Sequence, residues 1–156
     1  MFLRSDLFQG LLVTALGCLV VGCSQDPAAA NRPKVVPAGG QVLYRSQAVE
    51  GAHVTFMNAE ANQSGYGVTD ADGRFTLTTF REGDGVVPGR QKISIRKVEV
   101  IDRSKPGFDY SASSEIPPPA EERWLIPKRY GRFETSGLTV EVREGGKNEF
   151  ILELKD

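Results

Sequence analysis

The feature that most constrains this chain is an alternation of apolar and polar residues, which begins after Pro37. Side chains point to opposite faces along a strand, so apolar residues two positions apart share one face. The alternating sets are Val42 with Tyr44, Val54 with Phe56, Tyr66 with Val68, Phe75 with Leu77, Ile93 with Ile95, Leu138 with Val140 and Val142, and Phe150 with Leu152 and Leu154. The sequence therefore predicts an all-β, antiparallel sandwich of about seven strands, with these apolar faces packed together.

Glycine, proline and aspartate mark the turns between the predicted strands. The sequence Asp-Ala-Asp-Gly at 70–73 predicts a type I turn with Gly73 in the left-handed region. Gly145 and Gly146 predict a two-residue hairpin loop between the last two strands. Residues 99–123 interrupt the alternation and contain consecutive prolines at 117–119. We expect a long loop there, which is either partly disordered or used in binding.

The N-terminal part of the sequence predicts where the protein is located rather than how it folds. Residues 11–21 form an apolar run as long as a signal-peptide core and too short to cross a bilayer. The run ends in Val-Val-Gly-Cys at 20–23, which resembles the lipobox of bacterial lipoproteins. The resemblance implies a signal peptide of residues 1–22, a lipid anchor on Cys23, a flexible tether of residues 23–35 and a domain of residues 36–156. Cleavage near residues 28–30, which would leave no anchor, and an uncleaved anchor are the alternatives.

Cysteine and charge restrict the class of protein further. The two cysteines, Cys18 and Cys23, both precede the predicted domain, so that domain must fold without a thiol or a disulfide. The formal net charge of −1 provides no basic field, so we expect no nucleic-acid partner. With the lipobox, these observations predict a membrane-anchored lipoprotein of the cell envelope that faces the periplasm or the exterior.

Several segments of the predicted domain resemble one family. Residues 40–56 (GQVLYRSQAVEGAHVTF), 68–80 and 83–89 resemble the carboxypeptidase regulatory-like domain, and residues 126–130, 135–140 and 148–150 resemble its single-domain lipoprotein version. The resemblance implies an Ig-like, transthyretin-like β-sandwich. It implies no activity, because the chain has no room for the catalytic half of a carboxypeptidase.

The candidate residues for catalysis and metal binding are few. His53 is the only histidine, and its position in the alternation places it on the polar face of its strand. One histidine without a thiolate offers too few preferred ligands for zinc. Asp70, Asp72 and Asp84 could bind calcium, although their turns explain them without a metal. We therefore expect no catalytic residue, no metal and no cofactor.

Three aromatic residues are the remaining candidates for a binding site. Trp124, Tyr110 and Tyr130 could form an aromatic platform that faces a sugar or a peptide. Alternatively, Trp124 and the following Leu125 and Ile126 pack against the sandwich. We expect a non-catalytic interaction or structural module that binds an envelope protein or glycan, marked by an exposed apolar patch. The alternatives are a carbohydrate- or calcium-dependent adhesive module and an enzyme that uses His53.

Overall fold

The computed structural model describes residues 31–104 and 106–156, of which Pro33–Asp156 form one compact unit. Ten strands account for most of its regular structure: β1 Gly39–Tyr44, β2 Gln47–Ala48, β3 His53–Asn58, β4 Gln63–Val68, β5 Arg74–Thr76, β6 Gly89–Arg96, β7 Val98–Ile101, β8 Glu121–Trp124, β9 Thr139–Val142 and β10 Glu149–Leu154. A 3₁₀ helix at Lys128–Gly131 and a single helical turn, α1, at Phe133–Ser136 lie between β8 and β9. The predicted all-β class is confirmed.

The strands form a sandwich of two principal sheets. In the first sheet β1 pairs with β10 on one side and with β2 and β5 on the other. The second sheet has the order β4-β3-β6-β9, and all its pairs are antiparallel. The pairing of β1 with β10 is parallel, whereas β1 pairs antiparallel with β2 and β5. A third, two-stranded sheet contains β7 and β8.

The core lies between the inward faces of the two principal sheets. Its buried apolar residues are Val36, Ala38, Val42, Ala52, Val54, Phe56, Phe75, Leu77, Val86, Ile93, Ile95, Ile126, Tyr130, Val142, Leu152 and Leu154. The ring of Phe56 lies 6.0 Å from that of Phe75 and 5.9 Å from that of Phe150, between centroids. Complete burial of a side chain such as Phe56 contributes about 1.5–3 kcal/mol. The predicted inward faces are confirmed in every strand set except β4.

In β4 the predicted inward face is wrong. Tyr66 and Val68 point to solvent, with 60% and 52% of their surface exposed, and Gly65 and Gly67 take the inward positions. A Cβ on Gly67 would lie 2.5 Å from the carbonyl oxygen of Thr76, and one on Gly65 would overlap the side chain of Val86. The inward positions are therefore glycine because the neighbouring chain leaves no room for a side chain, and the apolar residues are left outside.

The turn at 70–73 is confirmed, whereas the hairpin loop at 145–146 is wrong. Gly73 has a φ of +72° and its N–H donates to the carbonyl of Asp70 at 2.9 Å. β9 pairs with β6 and β10 pairs with β1, so Gly145 and Gly146 lie in a connection from one sheet to the other. The side chain of Asn148 closes this connection, because its Oδ1 accepts the N–H of Arg143 at 2.9 Å and its Nδ2 donates to the Arg143 carbonyl at 3.1 Å.

The predicted long loop at 99–123 is shorter than expected. Val98–Ile101 and Glu121–Trp124 pair antiparallel as β7 and β8, and we call these two strands the ribbon. Lys97 separates β6 from β7, in agreement with the change of alternation between Ile95 and Val98. The connection between the two strands of the ribbon therefore begins after Ile101 and ends before Glu121.

Candidate functional site

The predicted lipidation site, Cys23, lies outside the described residues, as do the predicted signal peptide and most of the predicted tether. The part of the chain that the structure describes contains no helix of the length and hydropathy needed to cross a membrane. At the start of the domain, Val36 forms two backbone hydrogen bonds of 2.9 and 3.0 Å with Val86. These bonds attach the first residues of the domain to the rest of it. Lys34 precedes this bridge and forms an exposed ion pair of 3.0 Å with Glu144.

Trp124, the first of the predicted aromatic residues, is half-buried at the end of the ribbon. A Cβ on Gly131 would lie 2.5 Å from Cη2 of the indole, so the ring packs directly on the Gly131 backbone. The guanidinium of Arg96 and the ammonium of Lys128 lie 5.6 and 5.9 Å from the ring centroid. These contacts favour the alternative in which Trp124 packs against the sandwich, because the protein itself already supplies partners for its ring.

Tyr130 is not part of an exposed aromatic platform. Only 4% of its surface is exposed, and its ring belongs to the core. Its hydroxyl donates to the Lys155 carbonyl at 3.1 Å and accepts the N–H of the same residue at 2.9 Å. The prediction that Tyr130 faces a ligand is therefore wrong, since its hydroxyl holds the end of the chain. Tyr110 packs edge-on against Phe108, with 4.7 Å between ring centroids.

The carboxylate of Asp70 stabilises its own turn. Its Oδ1 accepts the backbone N–H groups of Asp72 and Arg74 at 2.9 and 2.8 Å. His53 is exposed at the start of β3, opposite Val68 on one neighbouring strand. Within residues 31–104 and 106–156, no three His, Cys, Asp or Glu side chains lie close enough together to hold a metal ion.

Asp84 organises the loop that follows β5. Its two carboxylate oxygens accept backbone N–H groups from Thr79, Phe80 and Arg81, at distances of 2.8, 3.0 and 2.9 Å. Burial raises the pKa of Asp84. The backbone N–H groups that donate hydrogen bonds to the carboxylate lower the pKa, and their combined effect is larger. The pKa of Asp84 therefore lies below its ordinary value, and the ionised form stabilises the loop.

A site that the sequence did not predict is an open groove of about 1250 Å³ on the outer surface of the first sheet. Its lining comes from β1, β4, β5 and β10 and from the loops beside them. Along the floor, Gly39 of β1 is paired with Glu149 of β10 on one side and with Thr76 of β5 on the other. A Cβ on Gly39 would lie 2.5 Å from the carbonyl oxygen of Phe75, so no side chain rises from the floor at this point. We call this feature the groove.

Gln41, two residues after Gly39 on β1, also belongs to the floor of the groove. It is paired with Ile151 of β10 and with Arg74 of β5. Its Nε2 donates to the carbonyl of Asp72 at 2.8 Å, which orients the carboxamide. The carboxamide oxygen has no hydrogen-bond partner among the described residues, and it can accept a hydrogen bond from a ligand.

Apolar side chains stand on two sides of the groove. Tyr66 and Val68 of β4 line it on one side, and Ile151 of β10, with 73% of its surface exposed, lines it on the other. The reversed orientation of β4 creates the first of these two walls. The signal that could have revealed it was the pair of glycines at 65 and 67, which occupy alternate positions with Tyr66 and Val68.

No protein-family model, no curated protein and no solved structure matches this chain. The resemblance of residues 40–56 and the other segments to the carboxypeptidase regulatory-like domain stays a prediction, whereas the β-sandwich is what the structure shows.

Proposed function

We propose that this chain is a non-catalytic lipoprotein of the bacterial cell envelope that acts as an interaction or structural module. In this proposal the lipid on Cys23 holds the chain in a membrane, and a domain of the carboxypeptidase regulatory-like, transthyretin-like type binds a neighbouring envelope protein or glycan. The lipobox-like sequence at 20–23 supports the anchor. The observation that carries the interaction is the groove, because Tyr66, Val68 and Ile151 expose large apolar surface around it.

The tether sets the distance over which such a module could act. Residues 23–35 would span at most about 45 Å when fully extended. Each methylene of a lipid chain buried in the bilayer contributes about 0.8 kcal/mol, so two or three acyl chains hold the protein permanently. The groove would therefore meet components of the envelope close to its own membrane.

The anchor is tested by the mass of the N-terminal peptide from envelope fractions. We expect the native protein to begin at a lipid-modified Cys23, and Cys23→Ala to lose both the lipid and the retention in the membrane. A mature chain that begins near Asn31, carries no lipid and is released as a diffusible protein would contradict the anchor.

The interaction is tested by photo-crosslinking in intact cells. A photoreactive amino acid at position 66, inside the groove, should capture a component of the envelope. The same amino acid at position 116, where Ile116 is 89% exposed outside the groove, is the matched control. Equal capture at both positions, or none at position 66, would contradict an interaction through the groove.

The alternative of a carbohydrate-dependent module is favoured by one observation, the exposed ring of Tyr66. A calcium-dependent module has no such support, since the carboxylates of Asp70 and Asp84 accept backbone N–H groups within their own loops.

A further inference from the structure

We infer that the groove is a binding site for a neutral saccharide chain, with Tyr66 as the residue on which a sugar ring stacks. The inference rests on the proposed interaction through the groove and names the class of ligand. It depends on four observations: the pairing of the floor, the exposure of Tyr66, the free polar groups in the same groove and the small net charge of its lining.

The pairing of the floor argues against an extended peptide that adds as a strand. β1 is paired with β10 on one side and with β5 on the other along Gly39–Gln41. Its backbone N–H and C=O groups are therefore engaged within the sheet, whereas strand addition requires an unpaired edge. The unpaired edge of β10 lies on the side away from β1, so a ligand over the floor itself is recognised by side chains.

The ring of Tyr66 is free to stack. Its neighbours across the strands are Thr55 of β3 and Thr78, whose side chains are short. Among the described residues, the side chain of Tyr66 makes no ring contact and no hydrogen bond. An aromatic face with a polar tip suits a sugar ring, which presents C–H groups on its face and hydroxyls around its edge.

Polar groups without partners line the same groove as this ring. The guanidinium of Arg74, the carboxylate of Glu82 and the hydroxyl of Thr76 line the groove and have no hydrogen-bond or ion-pair partner in the described part of the chain. Together with the carboxamide oxygen of Gln41 they offer both donors and acceptors. Sugar hydroxyls both donate and accept, so a set of this kind fits them better than it fits an apolar peptide.

The charges indicate a neutral rather than an ionic ligand. The cations that line the groove are Arg74 and Lys147, and the anions are Asp70, Glu82 and Glu149. Lys147 and Glu149 lie 3.4 Å apart and compensate each other. One negative charge remains in excess, since Asp70 and Glu82 stand against Arg74 alone; it disfavours a polyanion and is too small to attract a polycation over a distance.

The test uses the mature protein, purified from envelope fractions in detergent micelles. The probes are linear oligosaccharides of glucose, of mannose and of N-acetylglucosamine, with polygalacturonate as the anionic comparison. We expect saturable binding of at least one neutral oligosaccharide. Tyr66→Ala and Arg74→Ala should each weaken it by about tenfold, and Tyr66→Trp should retain it because the stacking face remains.

Ile116→Ala is the matched control, since Ile116 is exposed outside the groove, and it should bind as the native protein does. Thermal unfolding of every variant shows whether the fold is kept. The inference is overturned if no neutral oligosaccharide binds, if only polygalacturonate binds, or if Tyr66→Ala binds as tightly as the native chain. If an envelope protein is crosslinked at position 66 but no saccharide binds, the inference is overturned and the proposed function stands. If neither crosslinking nor saccharide binding is found, the inference and the proposed interaction through the groove are both overturned.

Discussion

The turn between β1 and β2 holds two residues other than glycine in the left-handed region. Arg45 has a φ of +53° and Ser46 a φ of +62°. This conformation costs about 1–2 kcal/mol for each residue that carries a Cβ. The guanidinium of Arg45 contacts both carboxylate oxygens of Asp156 at 3.0–3.1 Å, and the hydroxyl of Tyr44 donates to the same carboxylate at 2.5 Å. The turn thus places Arg45 where it holds the end of the chain.

Ser46→Gly should stabilise the domain. Glycine removes the strain of the left-handed conformation, and its greater freedom in the unfolded chain offsets part of this gain, which leaves about 0.5–1 kcal/mol. The free energy of unfolding in urea measures the change. Ser64→Gly is the control, because Ser64 lies within the strand β4 and glycine there should destabilise the domain. If Ser46→Gly unfolds at a lower urea concentration than the native protein, the left-handed conformation of Ser46 is not strained.

Asp84→Asn should destabilise the domain in a way that depends on pH. The pKa of Asp84 is lower in the folded protein than its ordinary value of 3.8. Protonation therefore favours unfolding: the stabilisation is complete well above pH 3.8 and is lost as the pH falls through the folded pKa. We expect a loss of about 1–2 kcal/mol at pH 7 and a smaller difference from the native protein at pH 3, measured by urea unfolding.

Asp72→Asn is the matched control for Asp84→Asn, because Asp72 is exposed and its carboxylate makes no hydrogen bond among the described residues. Its stability should follow that of the native protein at both pH values. An equal loss in the Asp84 and Asp72 variants, or a loss that does not change with pH, would contradict the role of the Asp84 carboxylate.

At the scale of the element, the ribbon is the part of the fold with the weakest support. Two strands alone are marginally stable in water. Its ion pairs, Arg96 with Glu122, Arg123 with Glu99 and Arg103 with Glu121, are exposed and contribute little. The packing of Trp124 on Gly131 and the burial of the nearby Ile126 in the core therefore fix the end of the ribbon against the sandwich.

Trp124→Ala should release the ribbon and leave the two principal sheets folded. We expect amide hydrogen exchange to become faster in Val98–Ile101 and Glu121–Trp124 and to stay unchanged in β3 and β6. Val100→Ala serves as the control, since Val100 lies on the same ribbon but is 66% exposed. Exchange that becomes faster throughout the domain would show instead that Trp124 belongs to the global core.

The alternation predicted the elements well where the inward position carries an apolar side chain. Val54 with Phe56 and Ile93 with Ile95 are buried as predicted, because the residue that fills the core also reveals the strand face. In β4 the inward residues are Gly65 and Gly67, which leave no hydrophobic signal, and the exposed Tyr66 provides a misleading one. The groove depends on that reversal and on pairing between distant strands, so the alternation within single strands could not predict it.

At the scale of the whole molecule, β10 is an edge of the first sheet among the described residues. Unpaired edges can join to those of other molecules, and charged side chains oppose this. Glu149 and Glu153 flank the exposed Ile151 on the outer face of β10. The two carboxylates are placed to keep the domain from associating through this edge.

The double variant Glu149→Val and Glu153→Val should associate in a concentration-dependent manner, because it converts β10 into an uncharged edge. Size-exclusion chromatography with light scattering measures the mass. Glu60→Val, in the exposed turn between β3 and β4, is the control and should behave as the native protein does. If the double variant has the same mass as the native protein at every concentration, the carboxylates do not protect the edge.

The parallel pairing of β1 with β10 also governs when the domain can fold. Gly39 pairs with Glu149, which follows it by 110 positions, so the first sheet cannot form until nearly the whole chain is present. Closing so long a loop is slow, because its entropy must be lost before the contacts form. A chain that emerges with its N-terminus first therefore cannot complete the first sheet before β10 appears, and in the export that the proposed anchor implies, such a delay would favour the extended form that a narrow channel admits.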